Sequence, residues 1–212
     1  MGPRHDVVSA FARPVFARAA TSFADLVRRI PADAWDGPGL GEWDLRALVG
    51  HTSRSLVTVS TYVRTSAARE DVAGAVDYYV QMRDYASALG AADVLERGRQ
   101  AGRELGAAPA DAIDALVRRA LDDVAAVDDP LIEVIGGLGI RLSGYLPTRT
   151  FELAVHSLDI ARAIGIDHSP PADVLAEAAA LAARIGVALG TGPSLLLALT
   201  GRDDLPSGFS VV

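Results

Sequence analysis

Residues 145–165 read YLPTRTFELAVHSLDIARAIG. Their spacing predicts a helix carrying Glu152 and His156 four residues apart, so a carboxylate and an imidazole project from one face. Arg149 falls one turn before Glu152, and Asp159 one turn after His156. The result is a polar stripe, Arg149–Glu152–His156–Asp159, on a helix otherwise offering Phe151, Leu153, Val155, Leu158 and Ile160. An apolar helix with two metal-capable side chains on one stripe calls for partners elsewhere in the chain.

Upstream, apolar residues recur at Val8, Phe11, Val15, Phe16, Ala19, Phe23, Leu26 and Ile30, which predicts a helix over 6–30. Pro14 inside it predicts a kink or a late start, and Pro31 a stop. The glycine- and proline-rich run 31–43 predicts a loop bracketed by Trp35 and Trp43. Capping of the core accounts for both tryptophans, and Trp43 is also placed to wall a pocket. Asp44 is an N-cap for the next helix, whose stripe is Leu45, Leu48, Val49, Thr52, Leu56, Val59 and Val63. His51 lies on the edge of that stripe and can face inward. Residues 66–74 predict a turn region. Residues 76–89 predict a helix with Tyr78, Tyr79, Met82 and Tyr85, where core-to-surface packing is the first reading of the tyrosines and a substrate-pocket role the second. Residues 92–105 are charged and read as a solvated helix, and the acidic pair Asp122–Asp123 as the solvated end of the helix 110–127. Residues 131–143 place short apolar, β-branched runs on either side of Gly136–Gly137, a hairpin signal. His168 falls in an exposed proline-rich loop, ahead of helices at 172–189 and 193–200. The N-terminal MGPRHDVV, with His5, has no apolar stretch of the secretory kind.

Composition narrows the chemistry. The 212 residues are 50% hydrophobic and 6% aromatic, rich in Ala, which favours closely packed helices over a β-sandwich. A formal charge of −7 with no basic cluster argues against nucleic acid or an anionic membrane as partner. No apolar run reaches membrane-spanning length, so the expectation is a cytoplasmic protein, monomer or homodimer. Every basic residue is Arg, which fits a GC-rich genome. There is no cysteine, so a metal site must use His and carboxylate, and any thiol must come from outside the chain. No phosphate loop, G-x-S-x-G elbow or H-E-x-x-H motif is present. The spacing of Glu152 and His156 is weak evidence by itself. They, with His51, could form a three-ligand metal site in a bundle core, or could simply pair with Arg149 and a core hydroxyl.

Three stretches in order, GEWDLRALVGHT (41–52), the helix at 145–165 and LLALTGRDDLPSGF (196–209), carry a resemblance to the mycothiol-dependent maleylpyruvate isomerase N-terminal-domain family, within the broader DinB-like metalloproteins. The resemblance runs from about Val7 to the C-terminus. It implies an all-α fold: an antiparallel DinB-like four-helix bundle over 1–166, here with a small β-hairpin and a short C-terminal helical extension over 167–212 packed on it. The family's ligand pattern falls on His51, Glu152 and His156. The implied cofactors are a divalent metal, zinc first, with nickel, manganese or iron as other fits, and mycothiol, a low-molecular-weight thiol of actinobacteria. The implied chemistry is metal activation of the thiolate for a transferase or isomerase reaction on a small electrophile. A hydrolase using metal-bound water and a non-catalytic metal-binding module are the other readings. Arg149, Asp159 and Trp43 would stand around the ligands as orienting or substrate-binding residues. The isomerase itself is similar to a bundle followed by an α/β second domain. Residues 167–212 here read as helical, so maleylpyruvate is not the expected substrate.

Overall fold

In a computed structural model the chain is described over residues 4–212. The first three residues, and the side chains of residues 4–10 (Val8 and His5 among them), 84–89 (with Tyr85) and 91, lie outside the described part. Helix α1 spans Arg4–Val27 and α2 Leu45–Tyr62. Helices α3 (Ala75–Leu89), α4 (Ala91–Glu104) and α5 (Pro109–Ala125) follow. Strands β1 (Leu131–Val134) and β2 (Leu138–Arg141) precede α6 (Leu142–Ala163), α7 (Ala172–Ala188) and α8 (Gly192–Leu199).

The four-helix bundle follows from the apolar stripes. Helices α1 and α2 each pack on α5 and α6, burying Phe16 and Phe23 of α1, Leu48 and Leu56 of α2, Ile113 of α5, and Leu146 and Leu153 of α6. Full burial of a side chain of this size contributes about 1.5–3 kcal/mol. Helix α1 runs through Pro14, where the sequence pointed to a kink or a late start. Phe11, assigned to its core stripe, is 51% exposed. Asp44 caps α2 as expected, its carboxylate accepting from Ala47 N at 2.7 Å. Helix α6 begins three residues ahead of Tyr145 and carries Pro147 within its span.

Helix α4 departs from the sequence reading. It is charged on one side only. Its other side presents Gly98, Ala101 and Gly102, followed by the C-cap Leu105, all buried, and packs extensively against α2. The contact is backbone on backbone: a Cβ on Gly50 of α2 would overlap the Gly102 nitrogen and lie 2.5 Å from its Cα. Asp123 is likewise no solvated end, since it pairs with Arg64 at 2.6 Å.

The hairpin pairs Leu131 with Arg141 and Val134 with Leu138. Its turn uses positive φ at Gly136 (79°) and Gly137 (73°), backbone that non-glycine residues rarely adopt. It is stable because the segment before α3 is stitched to it: Asp71 N and Val72 N donate to Gly139 O, and Gly139 N donates to the Asp71 carboxylate at 2.9 Å. These bonds hold the Asp71 carboxyl below its ordinary range, the Gly139 amide first and Arg69 second. A Cβ on Gly139 would overlap the Arg69 carbonyl oxygen and lie 2.8 Å from the Ala67 Cβ. Gly139→Ala is therefore expected to cost about 2–3 kcal/mol, a fall of roughly 4–12 °C in melting temperature. Gly137→Ala, with open space around its Cβ, should cost only the backbone strain of about 1 kcal/mol. Equal thermal melts for the two variants would contradict this account.

Helix α7 adds Val174, Ala178, Leu181 and Ile185 to the same core, packing on α6, α3 and α1. Helix α8 packs on α7 and leaves Leu196 and Leu199 exposed. Among the described residues no helix is long and apolar enough to cross a membrane.

Candidate metal centre

His51 and the Glu152–His156 pair meet where α2 faces α6. One ligand-capable atom from each of the three side chains lies within 4.8 Å of the others. The His51 and His156 rings stand edge to face with centroids 5.1 Å apart. The i, i+4 spacing on α6 puts His156 Nε2 3.3 Å from Glu152 Oε2. The other imidazole nitrogen, Nδ1, lies 3.1 Å from Asp159 Oδ2. Asp159 thus sits where it fixes the ring and leaves Nε2 turned toward Glu152 and His51. Carboxylates behind metal-binding histidines commonly do this.

All three side chains are partly buried, and their protonation follows from the neighbours. Burial, then the positive His156, lowers the His51 pKa to about 4, so the ring is neutral at pH 7. Its Nδ1 is buried without a hydrogen-bond partner, an uncompensated polar atom of the kind folded proteins seldom keep. Burial alone would raise Glu152. The hydrogen bond from His156 and the charge of Arg149 outweigh it and bring the carboxyl down to about 2. Burial alone would lower His156. The carboxylates of Asp159 and Glu152 outweigh it and raise the ring to about 9. The site therefore keeps one imidazolium between two carboxylates and one neutral imidazole with an unmet polar atom. A divalent cation fits this donor set of two imidazoles and one carboxylate.

The surroundings close the site. Trp43 lies against His51, ring centroids 4.5 Å apart, and its indole donates to Leu95 O of α4 at 3.0 Å. Gly98 makes that approach possible, because a Cβ there would lie 2.6 Å from the indole nitrogen. Trp43 thus packs between α4 and His51. Arg149 makes no ion pair with Glu152. Its guanidinium packs over the rings of Tyr145 (4.9 Å) and Tyr78 (5.7 Å), and its Nε donates to Thr148 Oγ1. Among the described residues no carboxylate lies within ion-pair distance of it.

Tyr79 was missed in the sequence. Its hydroxyl donates to Glu152 Oε1 at 2.6 Å. Burial, then the Glu152 charge, holds the phenol well above its ordinary value, so it stays a donor. The adjacent tyrosines 78 and 79 point to different neighbours, and only the placement of α3 decides which reaches the carboxylate. His168 is also corrected: it is half-buried, with Nε2 unpartnered, and lies outside this group.

Residues 16–161 match the family described as Mycothiol maleylpyruvate isomerase N-terminal domain. The chain belongs to that family. The match covers α2 through nearly all of α6, with His51, Glu152 and His156, and ends before α7. No curated protein and no solved structure shows significant similarity to the chain.

Proposed function

We propose that this family member is a divalent-metal-dependent enzyme that uses a low-molecular-weight thiol, mycothiol, in a transferase- or isomerase-type reaction on a small electrophile. The convergence of His51, Glu152 and His156 within 4.8 Å, one of them with an unmet buried nitrogen, carries this reading. The family description supports the choice of thiol, and a chain without cysteine has none of its own to offer. Zinc suits the ligand set best.

When bound, the ion would supply a positive centre that lowers the pKa of a thiol beside it. The chain's own residues do the rest. His51 offers a nitrogen lone pair, His156 offers one at Nε2 once an incoming cation has displaced its proton, and Glu152 offers Oε2 while Tyr79 occupies Oε1. Asp159 keeps His156 in one orientation. Trp43 covers His51 and excludes water from that side. Arg149, a guanidinium held by two tyrosine faces and lacking a carboxylate, is placed to receive an anionic group on the electrophile.

Calorimetry with mycothiol tests the reading. Binding is expected to the zinc-loaded protein, and binding to the metal-free protein at least about 10-fold weaker, a difference of ~1.4 kcal/mol. Equal affinity with and without metal, or none in either state, would overturn it. Turnover of an electrophile by the metal-loaded protein in the absence of any thiol would move the assignment to a hydrolase.

A further inference from the structure

Across α6 from the metal ligands lies a cavity of about 510 Å³ between α1, the segment leading into α3, α6 and α7. Ser143, Pro147 and Thr150 of α6 line it. At about 100° per residue, Thr150 and Glu152 project from the helix roughly 200° apart. The cavity and the metal site therefore share a helix but occupy opposite sides of it. Its volume falls in the range of small-molecule sites, roughly 300–1,000 Å³.

Three features show it to be more than a packing gap. Thr150 is 3% exposed, yet its hydroxyl has no hydrogen-bond partner. A mid-helix threonine usually bonds back to a carbonyl one turn earlier, as Thr52 and Thr58 do here. Ser143, on the same wall, is satisfied by Asp129 at 2.9 Å. Next, Arg184 of α7 stands solvent-exposed at the rim of the cavity, with no carboxylate in ion-pair range among the described residues. The other lining arginine, Arg141, is already held by Glu70 and the Asp129 carbonyl. Finally, Phe11 stays half exposed on this wall although the α1 stripe would place it in the core.

We propose that this cavity binds a small amphiphilic monocarboxylate, its apolar body against Phe11, Val15, Pro147 and Leu181 and its carboxylate at Arg184. The Arg184 guanidinium offers paired N–H donors suited to a carboxylate. Glu177, two turns earlier on α7 and also on the lining, disfavours a second anionic group, which limits the ligand to one negative charge.

Calorimetry on the metal-free 212-residue chain tests this, with decanoate and decylamine as probes of equal length and opposite charge. Decanoate is expected to bind at one site per chain and decylamine more weakly. Arg184→Gln should weaken decanoate about fivefold and Arg184→Lys should largely restore it. Glu177→Gln should tighten it. His51→Ala, on the far side of α6, should leave it unchanged, as should Leu196→Ser with Leu199→Ser on the exposed face of α8. Absence of decanoate binding, equal binding of the amine, indifference to Arg184→Gln, or loss of binding in the His51 or α8 variants would overturn the proposal.

Discussion

Glu152→Ala is expected to abolish stoichiometric binding of zinc, with an affinity loss of at least about 100-fold, beyond the 10–100-fold cost typical of losing an outer partner of a ligand. The carboxylate is the anionic member of the proposed ligand set and the group to which both His156 and Tyr79 are bonded. His51→Ala should cause a comparable loss. Asp159→Asn, which keeps the shape behind His156 but removes its charge, should cost about 10–100-fold. Metal content per chain by elemental analysis, and zinc titration of the metal-free protein, read these effects without any activity assay. Circular dichroism checks that each variant is folded. Unchanged metal content in Glu152→Ala together with His51→Ala would remove the site and the proposed chemistry with it.

The largest effect on stability is expected from Gly50→Val. A Cβ at Gly50 meets the Gly102 backbone, not a side chain that could swing aside. Helix α4 must move away from α2, or the substitution is not accommodated. The expected cost is about 3 kcal/mol, or roughly 6–12 °C in melting temperature. Movement of α4 would also withdraw the Leu95 carbonyl from the Trp43 indole, one residue away from losing the cover on His51. Gly98→Ala makes a useful contrast, since its Cβ would press on the Trp43 ring. It should shift tryptophan fluorescence with a smaller loss of stability. A Gly50→Val melt within 2 °C of the parent protein, well short of that fall, would show that the α2–α4 seam is looser than its geometry.

How much of this was legible in the sequence differs by element. Helical periodicity revealed the core of α1, α2, α5 and α6, because an amphipathic stripe is a one-dimensional property. The Asp44 cap and the hairpin were legible for the same reason: each is written in adjacent residues. Glu152 and His156 were visible as a local pair. His51 could be joined to them as one option, being one of few histidines and on an inward helix edge, but a lone histidine has no spacing to argue from, and the family resemblance was what favoured the trio. Tyr79 was out of reach, because its partner sits on another helix and its neighbour Tyr78 has the same chemistry. Helix α4 was misread because its charge drew attention from Gly98, Ala101 and Gly102. Small residues at i, i+3 and i+4 mark a face where another backbone can come close, and that signal was present. Phe11 failed in the opposite sense: its periodicity is right, but the wall it faces is a cavity.

The site also has a topological consequence. Glu152 and His156 are neighbours on one helix, while His51 comes from about a hundred residues earlier. An ion gripping all three would close a covalent-like ring through α3, α4, α5 and the hairpin, a reversible cross-link whose effect on the unfolded chain resembles that of a long-loop disulfide. Helices α7 and α8 hang outside that ring. Fraying of the C-terminal helices could then proceed with the ion retained, whereas parting α2 from α6 would release it. The rate at which a chelator strips the metal would accordingly clock the opening of the bundle itself and be blind to motion in the tail.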